Sequence, residues 1–263
     1  MTKIRFFKYQ GTGNDFIIVD NRQLHWRPAG DAVSRLCDRR FGIGADGFML
    51  LGEQPGFDFT MTYYNSDGNE STMCGNGGRC MTAFASSLGL VGNRAFFNAV
   101  DGEHHAEIRD DGAGRIYRVK MKDPRPEKKF EDGYFIDTGS PHFVTFVKDA
   151  AKTDVAGLGR MIRKDDRFSP GGTNVDFVEY REKGLFVRTY ERGVENETLS
   201  CGTGVTASAL VAASLHPGNP GFYEIETPGG FLKVSFVRKD DLFSEVWLEG
   251  PAERVFEGEI DRM

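Results

Sequence analysis

The chain repeats one pattern at an offset of 127 residues, which is the separation of Cys74 and Cys201. Residues 69–77 read NESTMCGNG, and residues 196–204 read NETLSCGTG. Six of these nine positions are identical or exchange Ser for Thr, and the flanking segments match at nearly the same offset. A single CGxG could recur by chance in a chain with 33 glycines, but matched flanks would not. The repeat therefore predicts two similar, duplicated domains.

Each half carries the same order of predicted elements. An alternating, β-rich run leads into the cysteine segment, and a helix follows with Gly or Pro just beyond its end. Three predicted strands, separated by turns that contain Asp-Gly or Pro-Gly-Gly, come after each helix. The predicted elements are Phe57–Tyr64, Arg79–Leu88, Arg94–Ala99, Glu103–Arg109 and Arg115–Met121 in the first half, and Leu185–Tyr190, Val205–Leu215, Phe222–Thr227, Phe231–Val237 and Leu242–Leu248 in the second. This order predicts an α+β fold class with two pseudo-symmetric domains.

A polar stretch with two prolines, Asp123-Pro124-Arg125-Pro126, marks the predicted junction between the halves. Exposed, proline-containing segments of this kind are typical of domain boundaries. A chain of 263 residues is also long enough to form two cores. We therefore expect an N-terminal α+β domain over residues 1–122 and a C-terminal α+β domain over residues 123–249.

The composition argues against several classes of partner. The net charge is -6, and no cluster of Lys and Arg is dense enough to follow a nucleic-acid backbone. The N-terminus lacks the apolar stretch of a signal peptide, and no segment approaches the ~20 apolar residues that span a bilayer. We therefore expect a soluble, cytoplasmic protein that binds neither nucleic acid nor membrane.

The spacing of cysteine and histidine indicates neither a disulfide framework nor a metal site. The four cysteines are few and irregularly spaced, so reduced thiols are expected. No CxxC pair occurs, and the five histidines share no ligand spacing with the cysteines, so no metal is expected. Residues 42–47, GIGADG, resemble a GxGxxG fingerprint but lie between a predicted helix and a strand, which is the reverse of the dinucleotide-binding order. No cofactor is therefore expected.

Cys74 and Cys201 each lie directly before a glycine-rich segment that leads into a predicted helix. Unpaired N–H groups and the positive end of the helix dipole favour anions at such a place. This setting is expected to lower the pKa of a thiol from its free value of about 8.5. The first amides after each thiol, at Gly75-Asn76 and Gly202-Thr203, could hold a carboxylate.

Taken singly, each of these cysteines is more often a small buried hydrophobic residue, which is what we predict for Cys37 and Cys80. The symmetric placement of Cys74 and Cys201 favours chemistry instead. Pseudo-twofold domains would set one thiol on each side of a bound substrate. One thiolate could then remove an α-proton while the opposite thiol donates a proton to the other face, without metal or pyridoxal phosphate.

An ordered set of short motifs resembles the diaminopimelate epimerase family along essentially the whole chain. The motifs are GTGNDF at 11–16, NSDG at 65–68, MCGNG at 73–77, GTN at 172–174, YERG at 190–193, SCGTG at 200–204 and GPA at 250–252. The resemblance implies a cofactor-independent epimerase that interconverts LL- and meso-diaminopimelate for lysine and peptidoglycan-precursor biosynthesis. It also implies a homodimer, a mixed or antiparallel sheet wrapped around a central helix in each domain, and a return of residues 250–263 to the N-terminal domain.

The resemblance assigns roles residue by residue. It implies Cys74 and Cys201 as the catalytic acid/base groups, with His142 and Glu191 helping to orient or polarise the reacting amino end of the substrate. By residue type alone, His142 is more often an ordinary loop or strand residue and Glu191 a solvated charge. Arg192 can hold a carboxylate through two hydrogen bonds, while asparagine amides suit both zwitterionic ends of the substrate. The implied substrate-binding residues are Asn14, Asn65, Gly75, Asn76, Ser140, Asn174, Glu191, Arg192, Gly202 and Thr203.

Three positions depart from the usual pattern of the family. Ser140 stands where many relatives have asparagine, Gly47 where some have a binding glutamine, and Gln10 where a histidine is common. Ser140 can still donate a hydrogen bond. At Gly47 a water or another residue must replace the missing contact.

Two alternative functions remain open at this stage. A proline or hydroxyproline racemase of the same two-thiol superfamily would typically carry a histidine within the first CGxG, where this chain has Asn76. A non-catalytic binding protein with a thiol/disulfide redox switch would use Cys74 and Cys201 as a reversible disulfide. Asn14 and Asn65 could also be structural turn residues.

Overall fold

The computed structural model describes residues 3–261 except 111, 113, 125, 126, 217, 219 and 220. The described residues form two compact units. Unit 1 comprises Met1–Val119 with Pro251–Met263, and unit 2 comprises Lys120–Gly250. Two residues of the proline-containing junction, Arg125 and Pro126, lie outside the described residues. No described helix combines the length and the apolar composition that a membrane crossing requires.

Unit 1 is built on a mixed sheet with two helices. Its strands pair in the order β18-β1-β2-β3-β4-β6-β7-β8, with the short β5 also paired to β4, and the β2/β3 and β4/β6 pairs are parallel. The elements are β1 Lys3–Gly11, β2 Asn14–Asp20, α1 Gly30–Cys37, β3 Gly47–Gly52, β4 Phe59–Asn65, β5 Glu70–Ser71, α2 Gly75–Ser87, β6 Arg94–Ala99, β7 Gly102–Asp110, β8 Arg115–Lys120 and β18 Glu253–Asp261.

Unit 2 follows the same plan. Its strands pair in the order β9-β10-β11-β12-β13-β15-β16-β17, with β14 also paired to β13, and the β11/β12 and β13/β15 pairs are parallel. The elements are β9 Lys128–Lys129, β10 Tyr134–Asp137, β11 Pro141–Phe146, α3 Val155–Arg163, β12 Asn174–Arg181, β13 Gly184–Glu191, β14 Asn196–Thr198, α4 Gly202–Leu215, β15 Phe222–Thr227, β16 Gly230–Lys239 and β17 Leu242–Gly250, with short 3₁₀ helices at Ala150–Lys152 and Asp166–Phe168.

The two units share one topology, strand for strand. Strands β1–β8 of unit 1 correspond to β10–β17 of unit 2, and helices α1 and α2 correspond to α3 and α4. The predicted α+β fold class with pseudo-symmetric halves is therefore confirmed. Equivalent residues follow from the strand register, because β2/β3 pairs Phe16 with Gly47 while β11/β12 pairs His142 with Asn174.

Helices α2 and α4 are the buried helices of their units. They begin at Gly75 and Gly202, earlier than the predicted starts, so the glycines of the CGxG segments lie within the first helical turn. Close packing explains these glycines better than a preceding turn does. A Cβ at Gly77 would lie 3.3 Å from Met49 Sδ, and a Cβ at Gly204 would lie 2.4 Å from a buried carboxylate oxygen.

The outer helices α1 and α3 pack onto separate apolar clusters. In unit 1, Val33 and Leu36 of α1 join a buried cluster that includes Trp26 and Phe48. In unit 2, Val155 of α3 packs into a cluster of phenylalanines and Tyr190. Burying each such side chain stabilises the fold by about 1.5–3 kcal/mol, so these clusters fix the sheets on which the polar groups stand.

Candidate active site

The starts of helices α2 and α4 carry the two candidate thiols. Cys74 and Cys201 are the N-cap residues, and both have an extended backbone and make no side-chain capping bond. The first N–H groups of a helix have no partner within that helix, so Gly75-Asn76 and Gly202-Thr203 present backbone donors beside each thiol. Each unit therefore holds one thiol at an end of a helix that favours anions.

In unit 1 the thiol belongs to a chain of polar side chains. Asn14 Oδ1 accepts from Asn76 Nδ2 at 3.2 Å and from Cys74 Sγ at 3.7 Å. Asn14 Nδ2 donates to Asp46 Oδ2 at 2.8 Å. Arg79 donates to Asn76 Oδ1 at 3.0 Å. Because a guanidinium only donates and a carboxylate only accepts, Arg79 and Asp46 fix the orientation of the two amides between them.

Arg79 is a fully buried guanidinium in helix α2. It also donates to the Pro251 carbonyl at 3.3 Å, the Gly75 carbonyl at 3.4 Å and Thr12 Oγ1 at 3.5 Å. Within the described part of the chain, no carboxylate forms an ion pair with it. Burial lowers the pKa of Arg79 to about 10, and the neighbouring thiols Cys80 and Cys74 act in the opposite direction. The side chain thus places positive charge near the start of α2.

Asp15, beside Asn14, forms a partly buried ion-pair cluster. Its carboxylate lies 2.7 Å from Lys8 Nζ and 2.7 Å from Arg39 Nη2, which also contacts Asp46 at 2.8 Å. Burial by itself would raise the pKa of Asp15, but the hydrogen bonds and charges of Arg39 and Lys8 outweigh it and hold that pKa at about 2. The cluster fixes the strand end that carries Asn14.

Asp15→Asn is expected to destabilise the protein near neutral pH but not in acid. A carboxylate whose folded pKa lies below its unfolded value stabilises the fold above about pH 4, and that contribution disappears as the pH falls towards 2. Urea unfolding at pH 7 should show a loss on the order of 2 kcal/mol, and this difference should shrink steadily as the pH falls from 4 towards 2. Glu53→Gln, at an exposed position of unit 1, is the control. A gap that stays constant over this pH range would contradict the assignment.

Asn65 and Gly47 are paired across strands β3 and β4. Asn65 is half-buried at the end of β4. A Cβ at Gly47 would lie 2.4 Å from ring carbon Cε2 of Tyr63 and 3.1 Å from its hydroxyl oxygen. The Tyr63 ring therefore fills the space in which a longer side chain at position 47 would begin.

In unit 2, His142 is held by a buried carboxylate. The side chains of His142 and Asp176 have no exposed surface, and His142 Nδ1 lies 2.7 Å from Asp176 Oδ2. Asp176 Oδ1 accepts from Thr189 Oγ1 at 2.7 Å. His142 Nε2 lies 2.9 Å from Thr203 Oγ1. Both ring nitrogens therefore contact protein groups.

Cys201 lies next to the same group of residues. The residue is 8% exposed, and its Sγ lies 3.5 Å from Thr203 Oγ1. Burial raises the pKa of the Cys201 thiol well above its ordinary value, and the charges of Glu191 and Asp176 add to this. Hydrogen bonds from Thr203 and the Gly204 N–H act in the opposite direction. The expectation of a lowered pKa is therefore wrong for Cys201, because burial outweighs the donors of the helix start.

Asn174 joins the remaining predicted residues of unit 2. Its Oδ1 accepts from the backbone N–H of Arg192 at 2.8 Å, and its Nδ2 donates to Ser140 Oγ at 2.9 Å. Glu191, at the end of β13, is close enough to raise the pKa of Cys201. The structure thus gathers the predicted residues of unit 2 into one connected group.

Sequence analysis missed three charged residues that hydrogen-bond to predicted site residues. They are Asp46 and Arg79 in unit 1 and Asp176 in unit 2. Asp176 interrupts the buried run of β12, and a carboxylate in such a strand is costly unless it is paired. Arg79 is likewise the one charged residue of α2. A lone charge within an otherwise buried element was the signal that could have identified both.

The other two cysteines pack in the core, as predicted. Cys37 is 3% exposed and Cys80 is 0% exposed. Burial raises the pKa of each thiol to about 12. Neither thiol supplies a thiolate near neutral pH.

Comparison with known proteins gives matches along nearly the whole chain. The family model described as diaminopimelate epimerase matches residues 6–125 and 134–255. A diaminopimelate epimerase from Flavobacterium psychrophilum is 47% identical over 260 residues, which cover 98% of this chain and 100% of the relative. Another, from Aquifex aeolicus, is 41% identical over 281 residues and 98% of each chain.

Solved structures with low sequence identity share the fold. A phenazine biosynthesis protein of the PhzF family from Bacillus anthracis superposes with a TM-score of 0.81 at 16% identity, over 100% of both chains. A hydroxyproline epimerase from Agrobacterium vitis superposes with a TM-score of 0.71 at 13% identity, over 98% of this chain and 92% of that one. At such identities the likeness supports the two-part architecture alone.

Proposed function

The chain belongs to the diaminopimelate epimerase family and is an isomerase, and we propose that it converts LL-diaminopimelate to the meso isomer and back with Cys74 and Cys201 as its two acid/base groups. One observation carries this proposal. Each half of a duplicated fold places a thiol at the start of its buried helix, beside the first backbone N–H groups. Two equivalent proton-transfer groups are what inversion at one carbon requires.

The proposed reaction balances without a further reactant. One thiolate removes the α-proton and becomes a thiol, while the other thiol donates its proton to the opposite face and becomes a thiolate. The C–H bond that breaks is replaced by one on the other face, so the substrate keeps its atoms and changes only its configuration. Charge that develops on the adjacent carboxylate is stabilised by the N–H groups of Gly75-Asn76 and Gly202-Thr203.

The two thiols have unlike electrostatic surroundings, which supports a division of labour between them. Arg79 places positive charge near Cys74. Glu191 and Asp176 place negative charge near Cys201. Groups in such different environments differ in proton affinity, so one can hold a proton while the other does not.

Recognition of the non-reacting end is proposed for the polar residues around each thiol. The guanidinium of Arg192 is half-buried, and its one hydrogen bond within the described residues is a long one of 3.4 Å to the Gly171 carbonyl. A carboxylate could displace that weak contact and bind through two hydrogen bonds. The amides of Asn14, Asn65 and Asn76 would then serve the ammonium and carboxylate groups.

We also propose that the protein acts in the cytoplasm as a homodimer. The edge strand β18 pairs with β1 and exposes Val255 and Phe256, at 56% and 45%. Exposed apolar side chains on an edge strand suit contact with a second copy. Light scattering on the purified protein should then give twice the mass of one chain.

Incubation with LL-diaminopimelate in D2O under reducing conditions tests the proposed function. We expect formation of the meso isomer with deuterium at one α-carbon, because the new C–H bond is made from a solvent-exchanged thiol. Mass spectrometry and chiral chromatography measure both products. Deuterium should enter only one of the two α-carbons of each newly formed meso molecule.

Free proline and hydroxyproline are the matched control substrates. Neither should exchange, since neither carries a second amino-acid end. Exchange into proline without exchange into diaminopimelate would show that the substrate assignment is wrong. Exchange into no amino acid, together with reversible loss of both thiols on mild oxidation, would instead favour the redox-switch alternative.

A further inference from the structure

We propose that Asp176 and the hydroxyl of Thr203 are positioning residues that, with His142, form a proton relay for Cys201. The relay deepens the proposed function, because it rests on Cys201 being an acid/base group. Its members are contiguous, since Asp176 contacts His142 at 2.7 Å, His142 contacts Thr203 at 2.9 Å, and Thr203 contacts Cys201 Sγ at 3.5 Å. Asp176 acts on the thiol only through His142 and Thr203, which lie between them in this series of contacts.

Because the two units share one topology, the relay residues of unit 2 can be compared with the residues at the equivalent positions of unit 1. By strand register, Phe16 in β2 occupies the place of His142 in β11. Two residues further along the neighbouring strands, Met49 in β3 occupies the place of Asp176 in β12. Both Phe16 and Met49 are fully buried.

The residue paired with this position on the next strand also differs between the two units. Met49 pairs with Tyr63 across β3 and β4, while Asp176 pairs with Thr189 across β12 and β13. The helix glycines show the same equivalence, because a Cβ at Gly77 would approach Met49 and one at Gly204 would approach Asp176. One unit therefore fills this position with apolar and aromatic side chains, and the other fills it with a carboxylate, an imidazole and a hydroxyl.

This difference indicates that the polar group is not needed for folding. A buried ionisable pair costs desolvation free energy, and apolar side chains of similar volume often stabilise a fold at least as well. Unit 1 shows that the same topology is completed by Phe16 and Met49. The polar version in unit 2 is therefore explained by the one reactive group at its end, the Cys201 thiol.

The direction of each hydrogen bond follows from the fixed donors and acceptors. The carboxylate of Asp176 accepts, so Nδ1 of His142 carries the proton of that bond. Nε2 of a neutral ring is then an acceptor, and the Thr203 hydroxyl donates to it. The oxygen of Thr203 is left to accept from the S–H group of Cys201. Thr138 holds the residue in place by donating to the Thr203 carbonyl at 2.9 Å.

Proton transfer along this chain leaves the thiol as a base. The S–H proton passes to Thr203 Oγ, and the hydroxyl proton of Thr203 passes to Nε2 of His142. The thiolate now accepts the hydrogen bond of Thr203, and the imidazolium lies against the Asp176 carboxylate. The reverse transfer restores the thiol. No atom is gained or lost, and the charge on Cys201 is balanced by the charge on the ring.

The acidic side chains near Cys201 disfavour its thiolate form. Glu191 and Asp176 are the acidic groups close enough to raise the pKa of Cys201, while Thr203 and the Gly204 N–H lower it. Without the relay, a buried thiol next to two carboxylates would be a poor base at neutral pH. The relay supplies both a cation, the imidazolium of His142, and a hydrogen-bond donor to the thiolate, the hydroxyl of Thr203.

Alkylation of the free protein by iodoacetamide measures thiolate at Cys201 without any substrate, and peptide mass spectrometry reads each cysteine separately. Thr203→Val keeps the shape and the backbone N–H but removes the hydroxyl, and it should slow alkylation of Cys201 about tenfold at pH 7.5. Thr203→Ser should restore the rate to within about threefold. Alkylation of Cys74 in the same samples is the internal reference and should not change. An equal rate at Cys201 in the valine and serine variants would overturn the relay.

Asp176→Asn tests the charge at the far end of the chain. The amide can keep a hydrogen bond to His142 but cannot balance an imidazolium, so the pH profile of Cys201 alkylation should move upwards by about one pH unit. If the carboxylate acted only as a nearby negative charge, its loss would instead move that profile downwards. An unchanged or lowered profile in a folded Asp176→Asn protein would exclude Asp176 from the relay.

The double variant His142→Phe with Asp176→Met copies the residues of unit 1 into unit 2. It should fold with a Tm within about 5 °C of the original, because the same side chains complete the equivalent core in unit 1. Its Cys201 alkylation should be as slow as in Thr203→Val. A protein that fails to fold would overturn the claim that the polar group is dispensable for stability. Deuterium exchange into diaminopimelate is scored separately, so a wrong substrate assignment would leave these alkylation results unaffected.

Discussion

Cys74→Ala and Cys201→Ala should each lower kcat/KM for epimerisation of diaminopimelate by about 10³-fold, since each removes one of the two proposed proton-transfer groups. The singly substituted proteins should still fold, because the thiol makes no capping bond at the start of either helix. They should also differ from one another in deuterium exchange. A protein that keeps one thiol can return a solvent proton only to the face from which it was removed. Each variant should therefore exchange one stereoisomer with retention, and the two variants should choose opposite isomers.

Cys37→Ala is the matched control for these substitutions. Its thiol is buried in the apolar cluster of α1, and its loss should change packing but not the rate of epimerisation. Coupled enzymatic detection of the meso isomer and mass spectrometry of the recovered substrate measure the two effects. Full epimerase activity in Cys74→Ala or Cys201→Ala would contradict the two-base proposal, whatever the behaviour of the control.

The duplicated fold could be predicted from sequence because its signals are local and repeated. The CGxG segments, the turn residues and the alternating runs occur twice in the same order, so errors in one half are corrected by the other. Strand β6 begins and ends at the predicted residues, Arg94–Ala99, and β15 does so at Phe222–Thr227. Both lie between clear turn signals, which fix the ends of short strands.

The starts of the buried helices could not be predicted in the same way. Glycine has low helix propensity, so a glycine-rich segment indicates a turn when it is considered by itself. In the folded protein α2 and α4 are closely packed, and a Cβ at Gly204 would collide with the Asp176 carboxylate. Tertiary packing therefore overrides the local preference, and the helices extend back to Gly75 and Gly202.

Residues of the candidate site were identified where they belong to short motifs and missed where they act through others. Asp176 and Arg79 stand alone among apolar neighbours, and no motif or spacing links either one to a thiol. Asp176 contacts His142, which is distant in sequence, and Arg79 contacts the distant Thr12 and Pro251 as well as the nearby Asn76. Only strand pairing and helix packing bring such residues together, so their roles depend on the three-dimensional structure.

The sign of the charge around each thiol could not be predicted from the sequence either. The two cysteine segments are nearly alike in sequence, which suggests equal environments. The side chains that determine the local charge come from other elements, with Arg79 in one unit and Glu191 and Asp176 in the other. A repeat in the motif therefore does not imply a repeat in the electrostatics.

Gly204→Ala and Gly77→Ala exchange the same glycine of the two CGxG segments and should have opposite consequences. A Cβ at Gly204 would lie 2.4 Å from Asp176 Oδ1 and 3.1 Å from Thr189 Oγ1. Asp176 is short, fully buried and hydrogen-bonded on both oxygens, so it cannot move away without releasing His142. We expect Gly204→Ala to lower the free energy of unfolding by about 1–3 kcal/mol through overpacking, and to lower kcat/KM by about 10²-fold.

At Gly77 the nearest atoms are Met49 Sδ and Met61 Cε, each at 3.3 Å. The ends of methionine side chains adjust easily, and alanine gains up to about 1 kcal/mol over glycine within a helix. Gly77→Ala should therefore be neutral or stabilising in urea unfolding, with far less loss of activity than Gly204→Ala. Equal losses in the two variants would mean that the helix start itself rejects a Cβ. A large loss confined to Gly204→Ala would instead locate the sensitivity at the Asp176 carboxylate, which has the apolar Met49 as its counterpart in unit 1.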